Sequence, residues 1–149
     1  MEEKRDIFDR ILSWRPLRPL YPFYKKHREA LLYLFFGGLT TVVSWGSFYL
    51  FAYPFGLNEH IANILSWVAA VLFAFLTNRT WVFSAKGNPL REMLLFFAAR
   101  LTTLGVEEVF LLIFATILQK EVMAVKVIGS LLVLVLNYVF SKRIVFRKP

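Results

Sequence analysis

Arg100, Glu107 and Glu108 stand inside one apolar run, residues 91–118, and Lys126 and Asn137 stand inside the next. These side chains suit the binding of a phosphorylated, hydroxylated group. Arginine and lysine hold phosphate, and the planar guanidinium does so through two parallel hydrogen bonds. Carboxylates accept hydrogen bonds from hydroxyls or neutralise a lysine, and amides can also accept. An ionised side chain near a bilayer centre costs about 2.5–3.5 kcal/mol on insertion scales, and charges kept there face protein or a water-filled cavity. The run that carries Arg100 therefore reads as an inner wall, with neighbouring helices supplying partners.

Helical spacing relates these residues. Arg100 and Glu107 are seven apart and share a face, whereas Glu107 and Glu108 diverge by about 100° and cannot both face one point. At 1.5 Å per residue, Arg100 lies roughly 12 Å and Glu107 roughly 22 Å into the membrane from the end of the span at Glu92. Lys126, entering from the opposite side, reaches a depth similar to the glutamates. Asn137 follows about three turns later, near the level of Arg100. Two polar stations result: Arg100 with Asn137, and Lys126 with Glu107 or Glu108. A register-fixing salt bridge is the other reading for Lys126 with a glutamate, and snorkelling to the interface the other reading for Arg100.

The elements that must position them are membrane helices. The chain has 149 residues, 58% of them hydrophobic, with a mean hydropathy of +0.56. Soluble domains are nearer 45–50% apolar. The expected fold class is an all-α integral membrane protein with four transmembrane helices, over residues 30–53, 61–76, 92–118 and 122–140. Residues 1–29 form a basic tail that carries an amphipathic interfacial helix near residues 5–14, before Pro16, Pro19 and Pro22 stop it. Residues 147–149 end the chain. Ala62, Ser66, Ala70 and Ala74, extended by Asn78, form a small-residue ridge suited to close helix packing.

With no cysteine, disulfides, thiolate metal sites and a cysteine nucleophile are excluded. No His cluster, no Ser-His-Asp order and no phosphate-binding Gly-Lys-Ser/Thr loop is visible, so neither an enzyme nor a cofactor or metal is expected. The net charge of +8 flanks the spans, which favours anionic lipid headgroups over nucleic acid. Fifteen of the lysines and arginines fall in the two tails and the middle loop, and Lys120 alone falls on the opposite side. The positive-inside rule then places both termini in the cytoplasm.

The chain also repeats itself. Residues 37–41 align with 99–103, and residues 78–83 with 141–146, at offsets of 62 and 63. A duplicated hairpin of two spans, its axis along the membrane normal, follows. In that alignment Gly38 faces Arg100, Trp45 and Gly46 face the two glutamates, Asn63 faces Lys126 and Ala74 faces Asn137. The second half is expected to carry the site and the first to be scaffold.

The motifs FFGGLTT (residues 35–41), ANILSWVAAVLFAFLTNRTWVF (62–83), FFAARLTTLG (96–105) and KVIGSLLVLVLNYVFSKRIVF (126–146) resemble the GtrA-like family of small four-span membrane proteins, over residues 31–146. The resemblance implies a cytoplasmic-membrane flippase or translocation subunit for a polyprenyl-phosphate-linked sugar, serving glycosylation of O-antigen, teichoic acid or arabinogalactan. By motif it carries over Asn78, Arg79, Arg100, Lys126 and Asn137 as functional positions. The glutamate pair and the proline-rich tail lie outside its pattern. The expected partners are the lipid-linked sugar, a membrane glycosyltransferase and a homo-oligomer. A non-transporting adaptor for a glycosyltransferase is the second reading. A small four-span exporter is the third, disfavoured because span one holds no acid after Glu29.

Overall fold

The computed structural model describes residues 19 and 21–147, apart from the side chains of Leu111, Ala115, Val122, Met123 and Lys126. The expected amphipathic helix near residues 5–14 lies outside the described residues. Four helices follow in order: α1 (Tyr21–Ala52), α2 (Glu59–Thr77), α3 (Pro89–Leu111) and α4 (Val122–Phe140). The last three run on without a break into π-helical segments, Asn78–Val82, Leu112–Ile117 and Ser141–Val145. Among the described residues there is no strand. Tyr21–Ala52, Glu59–Val82 and Val127–Val145 are each long and apolar enough to cross a membrane. The protein is a helical membrane protein. α3 with its extension is just as long but carries Arg100, Glu107 and Glu108.

Local chemistry sets the ends. α1 starts well ahead of the expected Ala30, because Pro22 falls in the first turn, where a missing N–H costs nothing. Its axis breaks at His27, which leaves helical geometry (φ −114°, ψ 19°). Asn58 Oδ1 caps α2 by accepting from the His60 N–H at 2.9 Å. Asn88 Oδ1 caps α3 from Leu90 and Arg91 at 3.0 and 3.2 Å, with Pro89 in the first turn. Glu121 Oε2 accepts from the Ala124 N–H at 2.6 Å and opens α4.

α1 packs mainly on α2, and α3 on α4. The small-residue ridge is what permits the first contact: Ala62, Ser66, Ala70, Ala74 and Asn78 are all buried. The two hairpins join through an aromatic cluster. Phe75 of α2, Phe96 of α3, and Phe83 and Phe146 beyond the π segments hold ring centroids 5.3–6.0 Å apart. Tyr33 of α1 meets Tyr138 of α4 edge-on at 5.3 Å. Each such pair adds about 0.5–1.5 kcal/mol beyond its burial. Lys142 and Glu29 close the same end with a 2.5 Å ion pair. The opposite end is loosely packed: Tyr49, Tyr53, Ile61, Ile64, Ile117 and Leu118 are all exposed, as lipid-facing side chains should be.

The link between the hairpins is clamped. Arg79 Nε donates to Glu92 Oε2 at 2.7 Å, and Arg79 Nη2 donates to the Gly87 carbonyl at 3.0 Å. A Cβ at Gly87 would collide with Glu92 Oε1. Gly87→Ala therefore shifts the end of the Glu92 side chain, and by loosening its bond to Arg79 is expected to lower stability by about 1 kcal/mol or less. A fall in the thermal unfolding midpoint in detergent micelles is the check.

Candidate functional site

Between the hairpins, a cleft of about 570 Å³ runs along α1 and α2 from the tightly packed end toward the other. That lies within the roughly 300–1,000 Å³ typical of small-molecule sites. From Tyr33 to Trp45 on α1 it runs roughly 18 Å along the axis, and from Asn78 to Trp67 on α2 roughly 16 Å. Gly37 and Gly38 make its floor: a Cβ built on either meets nothing within 4 Å. Thr40, Thr41 and Ser44 add a row of hydroxyls, and Trp45 and Trp67 lie at the far end. α3 and α4 contribute only Arg100 and Leu134. The division expected from the sequence, with scaffold in the first half and site in the second, is not how this cleft is built. The first half makes the walls and the second inserts the cation.

Arg100 points back toward the start of its helix. Its guanidinium turns back over the Phe96 ring, 4.9 Å from the centroid, the direction that helical side chains favour. Tyr33, which also lines the cleft, lies within reach of its charge. Among the described residues no carboxylate pairs with it. A half-buried cation on a transmembrane-length helix, without a counter-charge, is poised for an anion.

Asn78 begins the π-helical turn that closes α2 and is almost fully buried, at 3% exposure. Its Nδ2 donates to the Ala74 carbonyl at 2.7 Å. That bond fixes the amide, because flipping it would set oxygen against oxygen. Oδ1 is thereby turned away from Ala74 and, among the described residues, has no hydrogen-bond partner. A buried acceptor left unmet costs about 1–3 kcal/mol.

The remaining candidate residues lie elsewhere. Asn137 does not line the cleft; it is buried between α3 and α4, with Thr103 Oγ1 2.9 Å from its Oδ1. Thr103, one turn beyond Arg100, approaches the Arg100 backbone carbonyl at 3.1 Å and not its guanidinium, so it does not join the expected Arg100–Asn137 station. Glu107 accepts from Ser130 Oγ at 3.0 Å and thus faces α4. Glu108 is exposed. Lys126 sits in α4, one turn before Ser130, and its side chain is outside the described residues. Arg79 is held by Glu92 and Gly87, away from the cleft. Among the described residues, no three metal-ligating side chains converge.

Sequence reasoning missed Tyr33, the hydroxyl row and both tryptophans. The hydroxyl row had a signal: Thr40, Thr41 and Ser44 cluster on one face directly after Gly37 and Gly38.

Comparison with known proteins agrees with the geometry. The family model described as GtrA/DPMS, transmembrane domain, matches residues 32–146. The cell wall teichoic acid glycosylation protein GtcA of Listeria monocytogenes serovar 1/2a is 34% identical over 143 residues, covering 93% of this chain and 97% of GtcA. Its namesake in Listeria innocua is 33% identical over 138 residues, covering 89% and 95%. The membrane protein YwcD of Bacillus subtilis is 31% identical over 121 residues, covering 78% and 95%.

Proposed function

The chain belongs to the GtrA/DPMS transmembrane domain family, and on that footing we propose that it moves a polyprenyl-phosphate-linked monosaccharide across the cytoplasmic membrane for glycosylation of a cell-surface polymer. One observation carries this reading. Arg100 and the hydroxyl row of Thr40, Thr41 and Ser44 line a single cleft. A phosphate anion has acceptors for the guanidinium, whereas sugar hydroxyls exchange hydrogen bonds with the threonine and serine hydroxyls. A phosphate–sugar headgroup satisfies both, while its prenyl chain stays in lipid.

In this proposal α3 is a fourth span, because its Arg100 turns into the cleft and its Glu107 toward α4. Both termini are cytoplasmic, so the Asn78–Arg100 end opens on the side where the lipid-linked sugar is loaded. Lys126 receives the phosphate nearer the outer leaflet, and a membrane glycosyltransferase consumes the sugar there. The two π-helical ends, at Asn78 and Ser141, support a duplicated hairpin. In each, the N–H of the following phenylalanine, Phe83 or Phe146, bonds back to the first carbonyl of the π segment, at 2.9 and 2.8 Å. The protein acts by binding and movement, with no covalent step.

The test is transfer of a labelled short-chain polyprenyl-phosphate hexose across vesicles containing the purified chain. Gly38→Phe meets no protein atom at its Cβ and fills the cleft, so it should fold and cut transfer at least tenfold. Gly38→Ala should fold more stably, by up to about 1 kcal/mol from helix propensity, and still transfer. A correctly folded wild type that transfers nothing would overturn the transport reading in favour of an adaptor for a glycosyltransferase.

A further inference from the structure

We propose that the Trp45–Trp67 end of the cleft is a separate sugar-binding subsite, one that takes the hexose ring itself; this rests on the reading above, that a glycosylated lipid headgroup enters the cleft. Both indoles line the cleft, yet both remain open to a ligand, at 73% and 37% exposure. Trp67 is held by Phe97, whose ring meets it edge-on at 5.9 Å.

Depth argues against a merely interfacial role. Trp45 lies roughly 10 Å before the end of α1, and Trp67 roughly 12 Å after the start of α2. Anchoring tryptophans sit at headgroup level, where water or lipid esters meet the indole N–H. Here the rings sit deeper, and among the described residues neither indole N–H has a hydrogen-bond acceptor. An unmet donor in hydrocarbon is costly, so an acceptor is to be expected from whatever occupies the cleft.

A hexose supplies what this end lacks. Its ring offers a C–H face to the flat indoles, and its hydroxyl oxygens accept from their N–H groups. Thr40 Oγ1 already donates to the Phe36 carbonyl at 2.8 Å, and Thr41 Oγ1 to the Gly37 carbonyl at 3.3 Å. The threonine oxygens are thus left as acceptors for the sugar's own hydroxyl hydrogens. The subsite lies roughly 16 Å along the helix from Asn78, farther than one hexose spans. The sugar therefore leaves the Asn78 end before it reaches the indoles, and the hydroxyl row lies between.

Binding of two probes to the purified chain in vesicles tests this: a short-chain polyprenyl-phosphate hexose and the same polyprenyl phosphate without sugar. Trp45→Leu with Trp67→Leu is expected to weaken the glycosylated probe at least tenfold and the sugarless probe less than twofold. Trp45→Phe with Trp67→Phe, which keeps flat faces, is expected to recover part of the loss. Matched circular dichroism and melting confirm the fold of each variant. Equal loss of both probes overturns the proposal, because the indoles then hold prenyl chain. So does a Leu pair that binds and transfers the glycosylated lipid like wild type while transport itself stands. A wild type that discriminates the two probes through the tryptophans yet transfers neither would overturn transport and keep the subsite.

Discussion

Replacing Arg100 by alanine is expected to lower affinity for the lipid phosphate at least about a hundredfold and to abolish transfer at submillimolar lipid. The guanidinium would make a forked contact with phosphate, each charged hydrogen bond contributing about 1.5–3 kcal/mol. Two such bonds correspond to roughly 3–6 kcal/mol, and each 1.4 kcal/mol is about a decade in affinity. The fold should survive, because among the described residues no carboxylate depends on Arg100; what is lost is its position over Phe96. Arg100→Lys keeps the charge without the fork and should fall between the two. Lipid binding and vesicle transfer read the effect. Wild-type transfer by a folded Arg100→Ala protein would place the phosphate elsewhere.

Arg79→Leu should act through stability. Glu92 is buried beneath Arg79. Removing the arginine strands a carboxylate away from water, which costs about 3–5 kcal/mol for a buried pair; partial exposure of Arg79 favours the lower figure. The double variant Arg79→Leu with Glu92→Leu is expected to regain most of the stability, since apolar replacement of a whole buried pair is often neutral. It should regain transfer as well. Thermal melting in micelles and vesicle transfer, measured on both variants, separate the roles. Stability without transfer in the double variant would put Arg79 on the substrate.

What the sequence revealed follows from what spacing encodes. The α2 ridge was legible because small residues at every fourth position can only be one helix face, and that face is buried. The charged residues were legible because ionised groups in an apolar run demand a reason. The cleft was not, for two physical causes. Its floor is space left by missing side chains at Gly37 and Gly38, which a search for chemical groups passes over. Its tryptophans stand among other apolar residues, and in lipid both faces of a helix are apolar, so periodicity no longer separates inside from outside. The unmet oxygen of Asn78 depends on a single bond to Ala74 in the last turns of α2. Glu92 read as the start of a span, and its partner thirteen residues earlier emerged only when the loop folded.

The aromatic cluster that joins the hairpins lies wholly at the Asn78 end, while the large side chains at the other end face outward. Local opening costs least where buried apolar contact is scarce. The bundle is therefore unequally stiff, pinned like tweezers at the loading end and compliant at the far tips. Under the proposed transport, a headgroup travelling along α1 would move from rigid walls toward walls that yield, and its release would require no unfolding of the end that first captured it.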